Sequence, residues 1–165
     1  MLHLYLLRHG VAGDRREYAD DSQRPLTEEG ISKTRKVAQK LYRLGLTFDL
    51  VQTSPLLRAT QTAQILAEEY QHRFRVETNP CLAPEGDMKQ WLAWLEGSQP
   101  SHFSLGLVGH EPDLSAWAEI LIWGEARGVL ILKKAGLIGL TLPREPPYVA
   151  NALLFLLVPP KILLS

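Results

Sequence analysis

Three short stretches of this 165-residue chain carry side chains that a single chemistry would use together. "LYLLRHG" ends in Arg8, His9 and Gly10, "TSPLLRAT" holds Arg58, and "LVGHEPDL" holds His110. A guanidinium is a planar fork that matches the oxygens of a phosphoryl group. A neutral imidazole offers a ring nitrogen that can attack phosphorus or bond to one of its oxygens. Two arginines and two imidazoles around one spot would therefore hold a tetrahedral dianion. Taken singly, each has an ordinary reading: a polar strand end, a solvated helix residue, a capping histidine. Only their convergence would make a site.

Whether they converge depends on the elements that carry them. Apolar runs predict strands at Leu2–Leu7, Phe48–Thr53, Arg73–Glu77, Leu105–Gly109, Val129–Leu132, Ile138–Leu142 and Leu153–Val158. Between them, helical stripes run through Ile31, Thr34, Ala38 and Leu41, and through Leu56, Ala59, Ala63, Leu66 and Tyr70. Thr27 and Gly45 bound the first stripe; Ser54 is expected to cap the second helix, with Pro55 at its first position. Two more stripes follow at Met88, Trp91, Leu92 and Leu95, and at Leu114, Trp117, Ala118 and Leu121. Strand and helix alternate through the first two-thirds. This predicts one domain over residues 1–165, a mostly parallel sheet with helices on both faces and an antiparallel element late in the chain. In such sheets ligands bind at the carboxyl ends of strands, where Arg8-His9, Arg58 and His110 all fall.

Composition limits the alternatives. Lys+Arg and Asp+Glu are 18 each, so no global charge argues for nucleic acid or an anionic membrane. The longest late apolar run, Ala152 to Val158, is too short for a membrane span and reads as a last buried strand. A lone cysteine, Cys81, forms no internal disulfide and suits a reducing, cytoplasmic setting. No arginine follows it at cysteine-phosphatase spacing, so it reads as a structural thiol. No metal or cofactor is expected: His3, His72 and His102 show no ligand-like pairing, and no nucleotide-binding glycine motif occurs. The four tryptophans fall on helices and read mainly as packing.

The segments "LRHG", "SPLLRATQTA" and "VGH", in that order, resemble the histidine phosphatase superfamily, the phosphoglycerate mutase-like group marked by an Arg-His-Gly triplet. The short chain and "RPLTEEG" make it most similar to the SixA-type phosphohistidine phosphatases. The resemblance implies a three-layer α/β/α sandwich with a mostly parallel central sheet. It implies that His9 is a transiently phosphorylated nucleophile and that Arg8, Arg58 and His110 hold the phosphoryl group. Arg24 is a further candidate for the phosphate or the partner, whereas Arg15 and Arg16 read as solvated loop charges.

Substrate choice turns on the leaving group. An ester must expel an alkoxide of conjugate-acid pKa ~16 and needs a general acid; phosphohistidine expels an imidazole of pKa ~6.5. Ester-cleaving branches of the family carry an acid in the region reading "CLAPEGDMKQWL" here, where Glu85 and Asp87 are the candidates and Glu85 is ahead because it sits in the loop before the helix. "PEGD" is equally ordinary turn composition, with Asp87 a plausible cap. The charged loop Val11 to Pro25 holds no large cap, which suits a phosphorylated protein as partner, such as a histidine-containing phosphotransfer domain. The expectation is a phosphohistidine phosphatase. A small-molecule phosphomonoesterase and a non-catalytic phosphate-binding module stay open beside it.

Overall fold

In a computed structural model, which describes residues 1–98 and 104–165, six strands form one sheet. They are β1 (Leu2–Arg8), β2 (Leu50–Thr53), β3 (Arg75–Thr78), β4 (Ser104–Gly109), β5 (Leu137–Leu142) and β6 (Leu153–Val158). Their order across the sheet is β3-β2-β4-β1-β5-β6. The first four run parallel; β5 is antiparallel to β1, and β6 to β5. The expected mostly parallel sheet is present, with its antiparallel part at the late end.

Among the described residues five α-helices accompany the sheet: α1 (Glu28–Arg43), α2 (Leu57–Glu69), α3 (Met88–Ser98), α4 (Asp113–Trp123) and the short α5 (Pro160–Leu163). The period-two alternation of β1 sorts them into layers. Leu4 and Leu6 pack on one face with Trp91 and Leu95 of α3 and Leu114 and Leu121 of α4. Tyr5 and Leu7 pack on the other with Val37 and Leu41 of α1 and Ala63 and Leu66 of α2. The result is the three-layer sandwich. Strands β1 and β4 lie inside the sheet and are covered on both faces, which explains their nearly unbroken apolar sequences.

α1 follows its sequence signals closely. The Thr27 hydroxyl accepts from the N–H of Gly30 at 2.9 Å, and Gly45, at φ +81°, follows the helix end. Gly30 also lets α1 sit against the loop leaving β1, because a Cβ there would lie 2.0 Å from the Val11 carbonyl oxygen.

Three expectations are corrected. Val129–Leu132 is not a strand: the N–H groups of Val129 and Leu130 go to the Glu119 carboxylate instead of a neighbouring strand. α2 begins at Leu57 with Leu56 in the cap position and no side-chain cap, since Ser54 is drawn inward to His110. Finally, β6 is not a buried strand. It is the sheet's edge, and Leu153, Leu154, Phe155 and Leu157 are exposed. No helix among the described residues is long and apolar enough to cross a membrane.

The contact at Gly30 is testable. Gly30→Ala must push the Val11 backbone away, and overpacking of this kind costs about 1–3 kcal/mol. Urea unfolding should show that loss; an unchanged midpoint would contradict the tight approach of α1 to the loop.

Candidate active site

Pairing fixes the site before any side chain is considered. Arg8 of β1 is in register with Gly109 of β4, and Thr53 of β2 with Val108 of β4. The next residues along the three strands are therefore His9, His110 and Ser54, side by side on the carboxyl rim. The imidazole rings of His9 and His110 are 5.2 Å apart between centroids. The first turn of α2 adds Arg58, whose Nε donates towards His9 Nε2 at 3.4 Å. The predicted convergence of Arg8, His9, Arg58 and His110 is present, around a cavity of about 530 Å³.

His9 is held in one tautomer. Its Nδ1 lies 2.7 Å from the Gly10 carbonyl oxygen, which can only accept, so Nδ1 carries the proton and Nε2 a free lone pair. The approach of the Arg58 Nε–H to Nε2 agrees with that assignment. Gly10 is anchored in turn: its N–H donates to Thr62 Oγ1, whose hydroxyl donates to the Arg58 carbonyl. His9 is 5 % and His110 4 % exposed, so bulk water scarcely solvates a charge on either ring. Burial, aided by the other imidazole and the two arginines, lowers the pKa of His9 to about 3, although the Gly10 bond opposes it. Burial, with Arg58 as the next contributor, lowers that of His110 to about 4. Both rings are neutral at neutral pH.

The cations are secured from behind. Arg58 donates from Nη1 to the Asp21 carbonyl at 2.9 Å and from Nη2 to Asp21 Oδ2 at 3.1 Å. Arg8 donates from Nη1 to the Leu132 carbonyl at 3.0 Å. Its Nε is buried without a partner, as is Nδ1 of His110, whose Nε2 bonds Ser54 Oγ at 2.7 Å. Burying such atoms unpaired costs free energy that an incoming anionic oxygen would recover. Arg24 lines the cavity, but its Nε and Nη1 are used by Asp21 and the Gly13 carbonyl.

Of the two candidate acids, Glu85 lines the cavity, while Asp87 caps α3 through the Gln90 N–H. Glu85 occupies a left-handed turn, φ +61°, and its N–H donates to Asp113 Oδ2 at 2.8 Å. Arg15, read as a solvated charge, also lines the cavity; Arg16 is exposed and paired with Asp14. Of the other histidines, His3 packs against the rings of Tyr5 and Phe155, and His72 sits in the turn after α2. His102 lies outside the described residues.

Sequence reasoning gave no site role to Asp21, Ser54, Lys134 or Glu119. Glu119 is buried in α4, and its carboxylate accepts from the N–H groups of Arg127, Gly128, Val129 and Leu130. Burial pushes its carboxyl up, but these donors outweigh burial and hold it below the usual range. The loop so anchored carries Leu132, the acceptor for Arg8. A lone glutamate inside the apolar run "DLSAWAEILIW" was the available signal.

A cup of arginine and histidine side chains with one unprotonated imidazole nitrogen, on the carboxyl rim of an α/β sheet, is an arrangement suited to phosphoryl transfer. Known proteins narrow this class. The model of the histidine phosphatase superfamily (branch 1) matches residues 4–94, and the chain belongs to that family. Over 172 aligned residues it is 46 % identical to an uncharacterised protein of Picosynechococcus, covering 99 % of both chains. It is 33 % identical over 112 residues to the phosphohistidine phosphatase SixA of Escherichia coli, covering 67 % of this chain and 68 % of that one. The structure of the protein histidine phosphatase SixA complexed with tungstate matches with a TM-score of 0.85 at 26 % identity, over 98 % of this chain and 99 % of that one. The protein is thus a phosphatase, a hydrolase of this superfamily.

Two predictions follow from the burial of these groups. Unfolded histidines take up protons near pH 6.5, whereas folded His9 and His110 wait until about 3 and 4. Between pH 7 and 5 the unfolded chain binds more protons, so stability must fall as pH falls. The limiting slope is about 1.4 kcal/mol per pH unit for each ring, and His9→Asn should remove one ring's share. Equal slopes in both proteins would contradict a neutral, buried His9. Glu119→Gln turns an amide towards N–H donors and should cost about 2 kcal/mol in urea unfolding. It should also lower kcat more than it raises KM, because the support of Arg8 loosens; a pure stability loss would separate Glu119 from the site.

Proposed function

We propose that the protein removes the phosphoryl group from a histidine-phosphorylated signalling protein, through a covalent phosphohistidine formed on His9. The observation that carries this reading is the unprotonated Nε2 of His9, fixed by the Nδ1–H bond to the Gly10 carbonyl. A nucleophile must be unprotonated when substrate arrives, and burial of His9 keeps it so.

In the first step the Nε2 lone pair forms a bond to phosphorus as the bond from phosphorus to the substrate's imidazole nitrogen breaks. The substrate ring, protonated on its other nitrogen, takes that electron pair and leaves as a neutral imidazole. In the second step water attacks phosphorus, the bond to His9 breaks, and inorganic phosphate leaves. Arg8, Arg58 and the Nδ1–H of His110, with the Ser54 hydroxyl donating to Nε2, balance the charge spread over the equatorial oxygens.

Protein rather than metabolite as substrate is supported by the lip of the site. The segment Val11 to Pro25 forms two 3-10 turns, Arg15–Glu17 and Asp21–Gln23, and no inserted cap stands over the cavity among the described residues. A phosphorylated histidine-containing phosphotransfer domain could present its side chain there. A cytoplasmic setting accompanies this reading, and the lone buried thiol of Cys81 suits it. One observation favours a second reading, a small-molecule phosphomonoesterase: Glu85 lines the cavity, where an ester would need its proton.

Phosphate release from a phosphorylated phosphotransfer domain and from an alkyl or sugar phosphate, on three variants, tests both. His9→Ala should abolish turnover on every substrate, and an active variant would remove His9 as nucleophile. Arg58→Ala should lose about 100-fold or more in kcat. Glu85→Gln should leave phosphohistidine cleavage within about threefold. Were esters the better substrates and the only ones to suffer from that change, Glu85 would be a general acid and the second reading would replace the first.

A further inference from the structure

We propose that a lysine-rimmed groove beside the catalytic cavity binds an acidic stretch of the phosphorylated protein substrate. The inference rests on the functional reading above and names what the partner must bring besides its phosphohistidine. The groove has a volume of about 590 Å³ and shares Arg8 and Lys134 with the catalytic cavity, so the two are adjacent.

Its rim is built from three parts of the chain. Lys33 comes from α1, Lys133 and Lys134 from the turn before β5, and Lys161 from α5. These are four of the chain's seven lysines, in a molecule whose formal charge is zero. No carboxylate lines the groove. Among the described residues every ion pair uses an arginine, and none of these four lysines takes part in one. Lys133 and Lys161 are exposed. Four ammonium groups that no local carboxylate neutralises present an uncompensated field to a partner.

The catalytic cavity is nearly balanced by contrast: Asp21, Glu85, Glu111 and Asp113 line it beside its cations, and none of them lines the groove. Positive charge without a matching carboxylate is therefore greatest on the groove side of the phosphoryl site, and that asymmetry sets the side on which an acidic partner lies. Complementarity of this kind raises the rate of encounter and fixes orientation more than it adds raw affinity.

The groove's chemistry favours a peptide over a second phosphate group. Converging forks give a phosphate subsite its geometric specificity, and among the described residues lining the groove Arg8, already engaged with the Leu132 carbonyl, alone carries one. The ammonium groups are point charges on flexible stems, which tolerate carboxylates at variable positions. Val11, Pro159 and Pro160 supply apolar lining, against which the carbon atoms of a peptide can lie. An acidic segment with apolar residues interspersed meets both demands.

The test uses two synthetic peptides carrying one phosphohistidine each, flanked by glutamates in one and by serines in the other. The wild-type protein should cleave the glutamate peptide with a kcat/KM about tenfold higher at low salt, and the preference should shrink as salt screens it. The double variant K33E/K161E should lose or invert the preference while hydrolysing p-nitrophenyl phosphate within about twofold of wild type, since neither residue lines the catalytic cavity. No preference in wild type, or one that survives charge reversal, overturns the groove. If neither peptide is cleaved, the functional reading fails, and fluorescence anisotropy of an unphosphorylated, labelled glutamate peptide decides the groove by itself. Binding lost in K33E/K161E supports it; equal binding, or a site for pyrophosphate alone, overturns it.

Discussion

The parallel pairing of β1 with β4 and of β4 with β2 is the constraint from which the rest of the site follows. Register is quantised: a slip of one residue would turn every side chain of β1 to the other face of the sheet. With Arg8 opposite Gly109 and Val108 opposite Thr53, the strand tips end level, and His9, His110 and Ser54 become neighbours. That register is enforced along the whole strands. Leu4 and Leu6 belong to one apolar cluster and Tyr5 and Leu7 to the other, so a slip would mismatch both cores at once. The catalytic geometry is thus held by burial of leucines well away from the chemistry.

Burial then sets the electrostatics. The low solvation that makes the core favourable also makes a charged imidazole costly, and His9 is kept neutral with its Nε2 unprotonated. The same desolvation acts against Arg8 and Arg58, and each is answered differently. Arg58 has a counter-charge, Asp21, on its far side; Arg8 has the Leu132 carbonyl and, more distantly, the field of Glu111. Leu132 lies on a segment with no sheet ladder of its own, and Glu119 supplies the acceptors that a neighbouring strand would have provided. A buried carboxylate distant in sequence from Arg8 thereby contributes to holding it.

The legible part of this structure was the part written in local chemistry. An apolar run that stops at Arg8-His9 announces a strand tip, and Thr27 and Gly45 mark α1 at both ends. The triplet and the two later motifs were enough to recognise the family, which a match over residues 4–94 bears out. What escaped was decided by distant partners. Val129–Leu132 has a strand's composition, but its backbone bonds go to a helix side chain. The run of Leu153 to Val158 is as apolar as a core strand, yet lies at the sheet edge because β5 is the last strand to pair with β1. Ser54 looked like a cap, since its second role needs His110, 56 residues later. In "PEGD", position in the loop before the helix puts Glu85 ahead of Asp87; Glu85 does line the cavity, while Asp87 is engaged as a cap by the Gln90 N–H.

Gross charge cannot be what attracts a phosphoryl group here. Five cationic side chains line the catalytic cavity (Arg8, Arg15, Arg24, Arg58 and Lys134) against four carboxylates (Asp21, Glu85, Glu111 and Asp113), a balance of only one positive charge. A dianion would reverse it. Selectivity must come from placement: Asp21 engages the two Nη atoms of Arg58 and leaves its Nε facing His9. Glu111 turns its carboxylate to the N–H and hydroxyl of Ser115, and Asp113 accepts from the N–H of Glu85. Three of the four negative charges are therefore bound to groups other than the incoming ligand, and they order the wall they might otherwise have made repulsive. The buried polar atoms left without partners, Arg8 Nε and His110 Nδ1, belong to side chains that line the cavity with His9, where a hydrogen bond to an oxyanion is worth most.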